Sequence, residues 1–186
     1  GMPSVLRSAQ DKVKGTTKIE DYKKKKKELI RLINKTPEVV VKENSFFKTD
    51  EVLGDNVPRY YIDFLFKDVL RDSICNFTGG MGHKESGVRR VYKAKFNKDS
   101  FMEWHVSPDQ GHYECFFAVE TKGIEINYLN NSTFENEKIV LNEGEIVFIS
   151  THCPRAIEKV KNLSKLIVFY LDIYEYTPSV SSLNYL

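Results

Sequence analysis

Residues Glu103–Glu114 read EWHVSPDQGHYE and hold two of the chain's four histidines, each with a glutamate two positions away. Imidazole nitrogens beside carboxylate oxygens can move protons, or can together hold a divalent transition metal. A metal set needs a further imidazole. His152 supplies one, at the end of the apolar run EIVFIS and directly before Cys153 and Pro154. His83, in a glycine-rich stretch, is the weaker candidate. The expected ligand set is therefore His105, His112, Glu114 and His152 around one divalent ion (Zn, Fe, Mn, Ni or Cu). Glu103 is the expected catalytic group, as general base or as a further ligand, with an ordinary solvated glutamate as the alternative.

Such a set needs strands to position it. Successive side chains on a strand point to opposite faces. If Trp104 and Val106 face one way, Glu103 and His105 face the other, and His112 and Glu114 share a face of the next strand. The turn SPDQG between them can fold the two strands together. Phe116 shares the His112/Glu114 face and would line the pocket. Cys115 points away into the core, and Cys153 reads as a buried thiol with metal ligation as the alternative. Arg155 and Lys161 are candidates for binding a substrate carboxylate or phosphate.

From residue 88 onward the pattern is β throughout. Tyr92, Ala94 and Phe96 alternate with lysines, and GIEINYL, EKIVL, EIVFIS and SKLIVFYLDIY follow between Asn/Gly/Asp turns. Short strands at near-regular spacing predict an antiparallel sandwich or barrel over about 88–175. Before it, Thr17 and Glu20 have the spacing of a capping box, and Ile19, Tyr22, Leu29, Ile30 and Ile33 recur at helical period. These predict a helix over 17–35, with Lys23–Lys27 as its wet face. Pro58–Asp72 fits both periods, and helix is the reading taken. Thr78-Gly-Gly-Met-Gly82 reads as a connector. Residues 1–16 form a poorly ordered N-terminus, 17–87 a helical extension, and 88–186 the β domain.

Composition narrows the classes. With 28 basic and 26 acidic residues the net charge is +2, so no overall field favours nucleic acid. No apolar run reaches the ~20 residues of a membrane span. Three well-separated cysteines without a CxxC fit a reducing compartment, and no leader pattern opens the chain. We expect a cytoplasmic protein with a small-molecule substrate, no nucleic-acid or membrane partner, and a homodimer as an open option.

The order of these features resembles the cupin superfamily of double-stranded β-helix, or jelly-roll, barrels. Two histidines and a glutamate (His105, His112, Glu114) precede the apolar strand CFFAVETKG, and Gly144 opens a strand that ends at His152. GEIVFISTHCPRA followed by SKLIVFYL is also similar to the cupins named for the β-galactosidase β-subunit, which serve sugar metabolism. The resemblance spans about residues 88–174. The first two histidines are seven positions apart here, and the second motif lacks its internal Pro-x-Gly. The resemblance implies a mainly β jelly roll and a metal-dependent enzyme acting on a sugar or organic acid by isomerase, epimerase or lyase chemistry. Two alternatives remain open. One is a non-haem Fe(II) oxygenase using His112-Tyr-Glu114 and His152 as its triad. The other is a non-catalytic barrel that binds a sugar or a protein.

Overall fold

A computed structural model describes residues 16–35, 40–43, 48–51, 59–78, 87–130 and 132–172. Eleven strands among them form two antiparallel sheets. In chain order these are β1 (Thr16–Lys18), β2 (Val40–Glu43), β3 (Lys48–Glu51), β4 (Val88–Phe96), β5 (Met102–His105) and β6 (Tyr113–Glu120). They continue as β7 (Ile124–Leu129), β8 (Asn136–Leu141), β9 (Glu145–Ser150), β10 (Arg155–Ile157) and β11 (Ser164–Leu171). The larger sheet has the order β1-β9-β6-β11-β4-β3-β2, and the smaller β5-β10-β7-β8. Helices α1 (Tyr22–Lys35), α2 (Arg59–Asp63) and α3 (Arg71–Thr78), with a π-helical segment at Phe64–Val69, complete the described elements. The mainly β jelly roll expected from the sequence is the fold observed.

The alternation of β6 builds two cores at once. Tyr113, Cys115, Phe117 and Val119 face the helices and join Leu29, Leu65, Phe66 and Leu70. Phe77 stacks on Phe148 with ring centroids 4.1 Å apart. Phe116 and Ala118 face the other way and pack with Ile124, Ile126, Leu141, Val147 and Leu166 between the sheets. Burial of this kind, worth about 25 cal/mol per Å² of apolar surface, explains why a strand with almost no polar residues sits in the centre of the larger sheet.

The N-terminal third differs from the expectation. Thr17 pairs with Ile146 as part of β1, and the helix begins only at Tyr22. The open edge of β9 takes the backbone of residues 16–18, and Ile19 N–H bonds Gly144 O at 2.8 Å, so the capping-box spacing is not used. The expected helical extension also contributes β2 and β3 to the larger sheet. Pro58–Asp72 is helical from Arg59, as read. Most of the lysine run is exposed, but Lys26 is half-buried and pairs with Glu143 at 3.1 Å and Glu120 at 3.5 Å. Residues 1–15, 79–86 and 173–186, including His83 and most of the glycine stretch, lie outside the described residues.

On the inter-sheet face of the larger sheet, exposure rises toward one end along β4 and β11, while β6 and β9 stay buried. Three rows of cross-strand partners on the larger sheet show it. Ala118 pairs with Leu166, which pairs with Ala94, and all three are buried. In the next row Phe116 pairs with Val168, which pairs with Tyr92, and the last two are only half-buried. In the third, Glu114 pairs with Ile149 on one side and half-buried Tyr170 on the other. The half-buried end, beside Glu114, is the candidate barrel mouth.

Candidate active site at the barrel mouth

Three short elements bring side chains to Glu114. Arg155, on the three-residue strand β10, pairs with His105 of β5 on one side and with Tyr128 of β7 on the other. On β5 the register skips a residue, because His105 faces Arg155 while Met102 faces Ile157. Both Glu103 and Trp104 therefore sit opposite Ala156. This bulge lets Met102 join the core and His105 still reach the mouth, where strict alternation would separate them. The turn after β5 is tied down by Thr151. Its carbonyl accepts from Ser107 N–H at 2.9 Å, and its hydroxyl donates to Gly111 O at 2.6 Å. Gly111 has φ +141°, and a Cβ there would meet Asp172 Oδ1 at 3.3 Å.

The centre of the site is a buried ion pair. Arg155 Nε donates to Glu114 Oε1 at 2.8 Å, and the two side chains are 0% and 5% exposed. Nη1 donates to Thr151 O at 3.3 Å and Cys153 O at 3.1 Å, and Nη2 to Ser107 Oγ. Four of the five guanidinium N–H groups are thus directed at named acceptors. His105 Nε2 lies 3.6 Å from Glu114 Oε1, and its Nδ1 is 2.9 Å from Glu103 O. Burial alone would raise the Glu114 pKa. The Arg155 charge, with hydrogen bonds from Arg155 and His105, overrides it and lowers the value to about 2. The Tyr170 hydroxyl is pushed well up, first by burial and then by the Glu114 charge that it faces. Glu114 is therefore a permanent anion and Tyr170 a permanent donor at neutral pH.

A second histidine–carboxylate pair sits one row further out. His112 N–H bonds Leu171 O at 3.0 Å, and His112 Nδ1 lies 3.7 Å from Asp172 Oδ1. The Asp172 side chain is 7% exposed and that of His112 is 40% exposed.

The four expected metal ligands are therefore divided. His105 and Glu114 meet. His112 instead has Asp172 beside it, with Nδ1 3.7 Å from Oδ1. His152 is exposed on the turn after β9. The triad of His112, Glu114 and His152 is not gathered either. Among the described residues no three His, Cys, Asp or Glu side chains are placed to hold one ion. The donor that His105 and Glu114 would offer an ion, Glu114 Oε1, already carries a guanidinium. As they stand, the described residues do not fit a metal.

Other candidates also move. Glu103 is exposed and meets His105 through its carbonyl. Arg155 is too buried to meet a substrate and instead holds Glu114. Lys161 is exposed just before β11, whose first residue Ser164 pairs with Phe96 at the end opposite Glu114. Phe116 is core, one row beneath Glu114. Cys153 is buried with Sγ 3.3 Å from Leu129 O, and Cys115 lies in the helix-facing core. Sequence reasoning missed Ser107, Tyr170, Asp172 and Tyr92. Tyr92 and Tyr170 lie on strands whose alternation was legible, so the face they share with Ala94 and Leu166 could have marked them. Arg90 Nη1 reaches Tyr92 Oη at 3.2 Å.

No family model and no curated protein matches the sequence. Solved structures match in fold. An oxidoreductase of the 2OG-Fe(II) oxygenase family from Burkholderia pseudomallei is 16% identical, with TM-score 0.63 over 92% of this chain and 91% of that one. A Pseudomonas putida prolyl-4-hydroxylase is 6% identical, with TM-score 0.62 over 92% and 98%. A Trichoplax adhaerens prolyl hydroxylase, solved with a hypoxia inducible factor peptide fragment, is 11% identical, with TM-score 0.62 over 90% and 87%. The chain shares the jelly-roll fold with these proteins. Among the described residues no helix is long and apolar enough to cross a membrane.

Proposed function

We propose that the chain is a small-molecule enzyme of the cupin type, acting on a small organic acid or sugar at the barrel mouth. The observation that carries this is the half-buried flank of Tyr92, Val168 and Tyr170 beside Glu114, with half-buried His105 and His112 at the same end of their strands. Tyr92, Val168 and Tyr170 supply a half-buried wall of two phenols and one aliphatic side chain, which suits a small oxygen-rich ligand. His112, with the buried Asp172 carboxylate 3.7 Å from its Nδ1, is the imidazole–carboxylate pair available for proton transfer. It takes the role first assigned to Glu103. Isomerase, epimerase or lyase chemistry needs such a group. Glu114, Arg155 and Ser107 hold the floor in place.

A second reading, a metal-dependent enzyme, is favoured by one distance and by the fold. His105 Nε2 and Glu114 Oε1, at 3.6 Å, are close enough for one ion to touch both at ~2.0–2.2 Å. The fold is also that of Fe(II) oxygenases. This reading requires Arg155 to withdraw and a third donor to arrive. The likeness to the β-subunit sugar cupins rests on GEIVFISTHCPRA followed by SKLIVFYL, and a cytoplasmic location on cysteine usage.

Calorimetric titration of the full chain with small mono- and dicarboxylates and neutral sugars, in the presence of a chelator, tests the proposal. At least one compound should bind saturably, and Tyr170→Phe should weaken it several-fold. If no compound binds with chelator present but one binds after Fe(II) or Mn(II) is added, the metal reading replaces the first.

A further inference from the structure

We infer that Arg155 is the resident cation of the Glu114–His105 site, standing where a divalent ion would have to bind and thereby excluding it. The inference takes its location from the reading of the barrel mouth but concerns metal binding alone. A metal at ~2.1 Å from Glu114 Oε1 would stand no further than about 5 Å from Arg155 Nε. That limit is the sum of this bond and the 2.8 Å ion pair. Two cations that close, out of bulk water, repel strongly.

The guanidinium has no easy way to leave. It does not lose its proton, it is fully buried, and its Nη1 and Nη2 are committed to Thr151 O, Cys153 O and Ser107 Oγ. The buried carboxylate of Glu114 needs one positive partner, and this arginine is it. His105, which faces the same Oε1 from the solvent side, then borders an ion pair instead of ligating an ion. The same surroundings make a forecast in reverse. Without the guanidinium, Glu114 becomes a buried anion facing an imidazole, and a divalent ion becomes the partner that restores neutrality.

The experiment titrates Co(II) into the full chain and into Arg155→Ala, reading visible absorbance and thermal midpoint. Wild type should show no Co(II) band that depends on His105 or Glu114, and its midpoint should not respond to the ion or to a chelator. Arg155→Ala should be less stable, gain stability on Co(II) addition, and bind the ion roughly a hundredfold or more tighter than wild type. Adding His105→Ala or Glu114→Gln should abolish that gain, which separates this site from the cysteines. Should Arg155→Ala fold only with Co(II) present, that also supports the inference. It is overturned if wild type binds one equivalent of Co(II) in a manner lost in Glu114→Gln, or if Arg155→Ala binds no better than wild type. Failure of the carboxylate and sugar titrations with these results intact would sink the proposed ligand and leave this inference standing.

Discussion

Glu114 and Arg155 show how a single residue pair sets the character of the site. Removing one member of a buried ion pair leaves the other uncompensated, at roughly 3–5 kcal/mol. Glu114→Gln should therefore lower the thermal midpoint by the order of 10 °C, a far larger loss than an exposed glutamate such as Glu103 would give. The pH dependence follows from the lowered Glu114 pKa. A carboxyl held near 2 when folded and near 4.5 when unfolded contributes stability that is complete above about pH 4.5. That contribution falls away as the pH drops toward 2, so acid denaturation curves of wild type and Glu114→Gln should converge over that window. Glu114 itself was legible in the sequence, because strand alternation put it on the inward face. Its partner was not. Arg155 lies 41 residues away on a three-residue strand, and a lone arginine after Cys-Pro carries no sign that it will be buried.

At the scale of elements, the contact between α1 and the β8–β9 turn is the most sensitive. Tyr22 donates to Val119 O at 2.5 Å and meets Phe117 edge-on at 5.7 Å. Its ring lies over Gly144, where an added Cβ would come within 2.7 Å of a ring carbon, on a backbone with φ +81°. Gly144→Ala thus combines overpacking with a disfavoured backbone and should cost roughly 1–3 kcal/mol, measurable as a shift in denaturant midpoint. In a double-mutant cycle, Gly144→Ala should cost less in a Tyr22→Ala background than in wild type, because the clash is gone. The period of α1 was readable from Tyr22 onward, but its start was not. Thr17 and Glu20 satisfy a capping pattern locally, and only the free edge of β9, a tertiary feature, converts that stretch to strand. The β5 bulge misled in the same way, since nothing in FMEWHV marks where alternation slips.

Across the whole molecule, β6 is buried on both faces, and the half-buried flank of Tyr92, Val168 and Tyr170 beside Glu114 marks the candidate ligand-receiving end of the barrel. The jelly roll was legible because short alternating strands and turn residues are local signals. The gathering of the metal set was not, because it depended on the path of two loops. His112 lies beside Asp172, and the turn after β9 leaves His152 exposed. The central claim is that the small-molecule site lies at this mouth. Its most direct test is histidine-ring NMR of the full chain, with signals assigned by single His→Asn variants, during titration with the ligand found by calorimetry. Signals of His105 and His112 should shift together and saturate with the calorimetric affinity, while His152 stays in place. Shifts confined to His152, or no shift at His105 and His112 at saturation, would contradict the account.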